Sequence, residues 1–180
     1  MSRERVRAAI RDVVDFPKPG IVFKDITPVL RDPELLTWVV NALADPWKAD
    51  PPDAVAAIGA RGFILGGAVA CLLKVGFIPV RKAGKLPADV VTAEYALEYG
   101  TATVEMHRDA VEKGQKILLV DDLLATGGTA GAAVSLIETC GAEVAGLEFL
   151  IELCFLDGRK AVKGYPVRSL IDVSGNEVTT

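Results

Sequence analysis

The chain has 180 residues, 51% of them hydrophobic, with 20 Lys and Arg against 24 Asp and Glu and a net charge of −4. That length supports one domain with a sizeable core, and the acidic balance argues against a general nucleic-acid binder, which carries a basic excess. The strongly apolar run at residues 62–73 is too short for a bilayer span of roughly 20 residues, and the charged start "MSRERVRAAIRDVV" does not read as a signal peptide.

In chain order, Val6, Ile10 and Val13 fall at helical spacing and predict an amphipathic helix. The segment "DFPKPG" at 15–20 breaks it with two prolines and a glycine. A second helix follows in "RDPELLTWVVNAL", with Asp32 as N-cap and Pro33 at the first helical position. From Asp53 the rhythm becomes strand, helix, strand. "AVAAIGA" (54–60) reads as a buried strand, "RGFILGGAVACLLKVG" as a helix closed by Gly76, and "FIPVR" (77–81) as the next strand. "TATVEMH" (101–107) alternates Ala102, Val104 and Met106 with polar neighbours, the mark of a half-buried strand. "KILLVD" is a continuous apolar strand, and "GGTAGAAVSLIETCG" a helix stopped by Gly141. "EVAGLEFLIEL" (143–153) and "PVRSLIDV" close the series. Strands alternating with helices predict an α/β fold, a mostly parallel twisted sheet covered on both faces. No repeat, low-complexity tract or dividing linker is present, so residues 1–180 read as one domain. Cys71, Cys140 and Cys154 show no metal-ligand spacing and are expected to be buried, reduced thiols of a cytoplasmic protein.

The chemistry concentrates in "KILLVDDLLATGGTA", residues 116–130. Asp121 and Asp122 end an apolar strand, and ligands of open parallel sheets bind beyond such carboxyl ends. In Ala125, Thr126, Gly127, Gly128 and Thr129 the glycines permit a tight bend with inward N–H groups, and the threonines add hydroxyls. The following helix directs its positive end to the same spot, which makes an anion cradle of phosphate size. Carboxylates repel phosphate but accept hydrogen bonds from hydroxyls. A phosphate and a vicinal diol at that separation describe a ribose 5-phosphate. Competing readings are a plain strand-to-helix turn and helix-capping aspartates. A P-loop ATPase would need an upstream GxxxxGK[ST], which the chain lacks.

"LLVDDLLATGGT" resembles the phosphoribosyl pyrophosphate motif of the type I phosphoribosyltransferases. "FPKPGIVFKDITPVL", "ARGF", "VRKAGKLP" and "YALEYGT" also resemble, in order, the adenine-using branch of that family. The resemblance implies a purine-salvage glycosyltransferase that moves the 5-phosphoribosyl group from phosphoribosyl pyrophosphate to N9 of adenine, giving AMP. It implies a small N-terminal hood at about 1–32 and a flexible flap at about 88–104. Asp121 and Asp122 would hold the ribose hydroxyls, and Ala60 and Arg61 would lie in a pyrophosphate loop. Arg81, Lys82 and Lys85 would add positive charge at the next strand end, although a solvated basic face also explains such a run. Val22 would read the adenine edge through its backbone, Phe23 would stack on the base, and Leu153 would close the far side. Lys24 replaces the arginine that many relatives carry. Glu98 would be the acid–base group, and Tyr99 would pack on the reactants as the flap closes. The resemblance further implies Mg²⁺ held mainly through substrate oxygens, and a homodimer with "VRKAGKLP" near its interface. It implies neither a nucleic-acid nor a membrane partner. The same donor site could serve hypoxanthine, xanthine or orotate, or a nucleotide-sensing regulator. "FPKPGIVFKD" with "LEYG" favours adenine, and the presence of Asp121, Asp122 and Glu98 favours an enzyme.

Overall fold

The computed structural model describes residues 2–96 and 100–175. Ser2 caps a short helix α1 (Arg3–Ala9), and β1 (Arg11–Val14) pairs antiparallel with β2 (Val22–Asp25) in a separate two-stranded sheet. The helix predicted through Val13 therefore ends early. Val13 instead pairs with Phe23 across the hairpin, because the residues after Ile10 find a partner strand that helical spacing cannot reveal. α2 (Thr27–Arg31) leads to α3 (Pro33–Ala44), where Asp32 accepts the N–H groups of Glu34 and Leu35 at 2.9 and 3.1 Å, as its N-cap position predicts.

The main body follows as β3 (Ala54–Ile58), α4 (Arg61–Leu73), β4 (Gly76–Lys82), β5 (Val90–Ala96), β6 (Thr101–His107), β7 (Lys116–Leu124), α5 (Gly128–Thr139), β8 (Glu143–Leu153) and β9 (Val167–Val173). Among the described residues the main sheet runs β5-β6-β4-β3-β7-β8-β9. From β4 through β9 the pairs are parallel, whereas β6 lies antiparallel to both β4 and β5. α4 is closed by Lys74, whose left-handed φ of 60° replaces the predicted stop at Gly76; Gly76 already begins β4. Part of the stretch expected as a flap is a twisted β5–β6 ribbon, from Val90 opposite His107 to Ala96 opposite Thr101.

Both faces of the sheet are buried. Ile117 and Leu119 of β7 join one core with Ala133, Ile137 and Phe149, while Leu118 and Val120 join the other with Leu43, Leu65 and Val69. This double burial explains the unbroken apolar run of β7. Cys71 and Cys154 are exposed and Cys140 half-buried, so the expectation of buried thiols fails. Leu72 beside Cys71 and Phe155 beside Cys154 are exposed as well, so an apolar stretch of sequence did not mark a buried position there, while Cys140 packs against the edge of one core. No helix among the described residues is long and apolar enough to cross a membrane.

The topology fixes where a ligand can sit. β3 sends the chain through α4 to β4 on one side, and its neighbour β7 sends it through α5 to β8 on the other. The carboxyl ends of β3 and β7 therefore flank a switch point, where an open parallel sheet leaves a crevice.

Candidate active site

β7 outlasts β3. Their pairing ends at Ala57 opposite Val120, but β7 continues beside β8 through Leu124 opposite Glu152. Asp121 and Asp122 thus lie inside a strand that projects past one neighbour, rather than at a strand tip. A cleft of about 640 Å³ opens there, lined by residues 58–61, Phe63, Arg81, Lys82, Lys85, Tyr95, Val104, 121–123, Ala125 and Thr129.

Asp122 is 5% exposed and accepts Nε–H of Arg61, the first residue of α4. The Arg61 guanidinium also lies over the Phe23 ring, 5.3 Å from its centre. Phe23 in turn meets Phe16 edge-on at 5.3 Å. One cation therefore links the carboxylates of β7 to the aromatic face of the hairpin. Asp121 accepts the Asp122 N–H at 2.9 Å. Burial, then the neighbouring Asp122 charge, push its carboxyl well above the ordinary range, against the opposing pull of that N–H and of Arg61. Gly62 makes room for this carboxyl, since a Cβ there would strike Asp121 Oδ1.

Beside the carboxylates, residues 123–130 enclose a recess of about 80 Å³ together with Asp121. Gly127 stands before α5 with φ +81°, a left-handed conformation that glycine adopts without steric cost. The first N–H groups of a helix have no partner within it, and the first turn of α5 carries no acidic side chain. The loop is backed by a 3-10 turn, Gly158–Val162. A Cβ on Gly127 would strike the Gly158 carbonyl, and one on Gly158 would strike the Ala125 carbonyl.

Across the cleft, Arg81 and Lys82 end β4, and Lys85 follows in a tight loop. Arg81 Nη1 donates to the Lys85 carbonyl at 3.0 Å. Glu105 of β6 lies beneath this loop, 3% exposed. Its Oε2 accepts the Gly84 N–H at 2.9 Å, and its Oε1 accepts those of Lys85 and Leu86, both at 2.7 Å. Burial would raise its pKa, but the three N–H groups and Arg81 outweigh burial and hold it below the ordinary value.

The structure therefore brings Ala60, Arg61, Arg81, Lys82, Lys85, Asp121, Asp122 and all of Ala125, Thr126, Gly127, Gly128 and Thr129 to one cleft and its side recess. Val22 and Phe23 stand on β2, with Phe23 joined to the cleft through Arg61. Lys24 is buried, its Nζ 2.7 Å from Asp12 Oδ1 across the hairpin. Leu153 ends β8 and packs with Leu123 against the α3–α4 core. Glu98 and Tyr99 lie outside the described residues. Sequence reasoning missed Gly62, Glu105, Gly158 and Tyr95, whose ring stands 3.0 Å from where a Gly128 Cβ would lie. The alternation in "TATVEMH" puts Glu105 on the polar face, so its burial left no signal in the sequence.

Residues 34–176 match the model of the phosphoribosyl transferase domain. The adenine phosphoribosyltransferase of Desulfitobacterium hafniense is 55% identical over 162 residues, 90% of this chain and 94% of the relative. The crystal structure of the enzyme of that name from Thermoanaerobacter pseudethanolicus superposes with a TM-score of 0.93 at 50% identity, over 96% of this chain and 100% of the other. The one from Saccharomyces cerevisiae, solved with an imino-altritol bisphosphate and adenine, gives 0.88 at 37% identity, over 93% and 97%. With the paired carboxylates, the glycine loop and the basic strand end in one cleft, these likenesses make this chain a member of the adenine phosphoribosyltransferase family of type I phosphoribosyltransferases.

Proposed function

We propose that this chain transfers the 5-phosphoribosyl group of phosphoribosyl pyrophosphate to N9 of adenine, releasing AMP and pyrophosphate. The observation that carries the reading is the Asp121–Asp122 pair beside loop 125–129, facing Arg61, Arg81, Lys82 and Lys85 within one cleft. The yeast relative, solved with adenine and a sugar bisphosphate analogue, supports both halves of the substrate pair.

In the reaction the bond from the anomeric carbon to pyrophosphate breaks with its electron pair on the leaving oxygen. The N9 lone pair forms the new bond, and the purine loses a ring proton. Positive charge grows on the ribose carbon and ring oxygen, as in glycoside cleavage. Loop 125–129 holds the 5-phosphate with N–H groups and hydroxyls. Asp122 and Asp121 accept the sugar hydroxyls and place negative charge near the developing cation. Arg61, paired with Asp122, brings a cation to the side of the cleft where the pyrophosphate leaves. Arg81, Lys82 and Lys85 receive the leaving pyrophosphate. Val22 reads the adenine edge, Phe23 stacks on the ring, and Leu153 closes the far side. Lys24 contributes by holding β1 to β2 through Asp12.

Glu98 serves as the acid–base group near N7, worth typically 10²- to 10⁴-fold. Tyr99 packs on the reactants as a flap at about 88–104 excludes water, which would otherwise capture the activated ribose. The hood is the segment at about 1–32, within a single domain. Mg²⁺ is the expected cofactor. Two adjacent carboxylates, one of them reluctant to ionise, fit a cation reached chiefly through substrate oxygens rather than a full protein cage. When bound, it neutralises pyrophosphate charge. The enzyme acts as a cytoplasmic homodimer. The outer side of α4 favours a partner copy, because Ile64, Cys71 and Leu72, with Phe77 nearby, expose apolar surface.

The test is to offer phosphoribosyl pyrophosphate, Mg²⁺ and adenine, hypoxanthine, guanine or xanthine in turn, and to follow nucleotide formation. AMP from adenine alone is expected. No AMP, or preference for another base, removes the reading. Glu98→Ala should lower turnover far more than it weakens donor binding; equal losses would remove its acid–base role.

A further inference from the structure

We propose that Glu105 is a positioning residue for the pyrophosphate half of the donor site, acting through the backbone of the basic loop at residues 83–86. The inference rests on the phosphoribosyl transfer proposed above. Glu105 does not line the cleft, whereas its neighbour Val104 does. Its carboxylate is turned under the loop and spends both oxygens on three successive N–H groups, those of Gly84, Lys85 and Leu86. Two further ties close the same unit. The Ala83 N–H reaches the Thr103 carbonyl at 3.0 Å, and Arg81, directly opposite Glu105 in the β4–β6 pair, donates to the Lys85 carbonyl.

The arrangement answers an electrostatic problem. Arg81, Lys82 and Lys85 lie within five residues of chain and repel one another until a polyanion arrives. An exposed loop with such a load would spread, and the donor would bear the cost of gathering it. A buried carboxylate under the loop opposes that spreading twice. It fixes three consecutive amides by charge-assisted hydrogen bonds, and its negative charge offsets the cations from behind, where it cannot touch the substrate. Because Glu105 is rooted in β6, the basic loop is also tied to the β5–β6 ribbon.

Pyrophosphate and AMP separate this role from simple fold support, since the first uses the basic loop and the second uses loop 125–129 and the base site. Glu105→Ala removes all three acceptors. Glu105→Gln keeps Oε1 for Lys85 and Leu86 but turns an amide donor toward the Gly84 N–H. Binding of each ligand is measured by calorimetry on the full chain with Mg²⁺, alongside the KM values for donor and adenine. Pyrophosphate binding should weaken about tenfold or more in Glu105→Ala and by a smaller factor in Glu105→Gln, with AMP affinity changed less than about twofold. The donor KM should rise with the loss of pyrophosphate affinity, while the adenine KM stays. Unchanged pyrophosphate binding, or equal weakening toward pyrophosphate and AMP, overturns the proposal. If Glu105→Ala does not fold, the same split in Glu105→Gln decides. A wild-type chain that makes no AMP would instead refute the parent reading, an outcome seen before any variant is made.

Discussion

The loop after β7, which lines the cleft, and the hairpin at β1–β2, which reaches it through Phe23 and Arg61, stand as two jaws held by different physics. Loop 125–129 leaves a strand buried on both faces over residues 117–120, enters a helix whose inner face is core, and rests on the backbone of Gly158. The hairpin is a two-stranded sheet outside the main one, with Val14 57% and Phe16 50% exposed. Such a ribbon is marginal in isolation. Its ties are the buried Lys24–Asp12 pair, the Arg11–Asp25 pair at 2.5 Å and the contact of Phe23 with Arg61. In the proposed reaction the donor would therefore meet a site built before it arrives, and the base a jaw that polar pairs and one cation hold in place.

The strongest attempt to break this contrast is Asp121→Asn with Asp122→Asn. AMP formation should fall on the order of 10³-fold or more, with the circular dichroism spectrum unchanged. Near-normal turnover would remove the diol role of the donor jaw. Lys24→Met attacks the other jaw by leaving Asp12 without that buried partner. It should cost about 3 kcal/mol, registered chiefly as a raised adenine KM and faster amide exchange across residues 11–25, with pyrophosphate binding retained. If pyrophosphate binding fell in step, the jaws would not be independent. Gly127→Ala forces a left-handed side chain against Gly158 and should lower stability by about 2 kcal/mol in thermal unfolding, along with affinity for ribose 5-phosphate.

The smallest effect concerns pH. Asp121 has a folded pKa raised above its ordinary 3.8, so it costs no stability below that value and takes stability away as pH rises through the interval up to its folded pKa. Asp121→Asn should consequently melt at a higher temperature than wild type at neutral pH. The gap should narrow as pH falls toward 4. A variant less stable than wild type at pH 7 would show that the carboxylate is not held against its preference.

The same contrast explains what the sequence disclosed. Strands β3, β7, β8 and β9, helices α3, α4 and α5, and the cradle at 125–129 were legible because both-face burial writes itself as apolar runs, and the N-cap at Asp32 and the left-handed turns at Gly127 and Gly141 demand particular residues. The hairpin was not legible in periodicity. Val13 suits a helix or a strand, and only pairing with Phe23 decides between them. The aspartates were placed at a strand tip because charge usually ends a buried strand. They lie within β7 because β8 extends alongside for its whole length after β3 has stopped. The ties that order the cleft, Glu105 to three amides and Arg61 between Asp122 and Phe23, join residues far apart in sequence and leave no local pattern.

Gly62 carries the last consequence. It touches no substrate in the proposed reaction, yet the Asp121 carboxyl occupies the volume that any larger residue there would claim. The paired-carboxylate motif thus includes a member on α4 defined by a missing methyl group. A library that varied only the residues facing the cleft would leave this position out, and one that varied α4 for packing alone would meet inactive clones at Gly62 with their ligand contacts nominally intact.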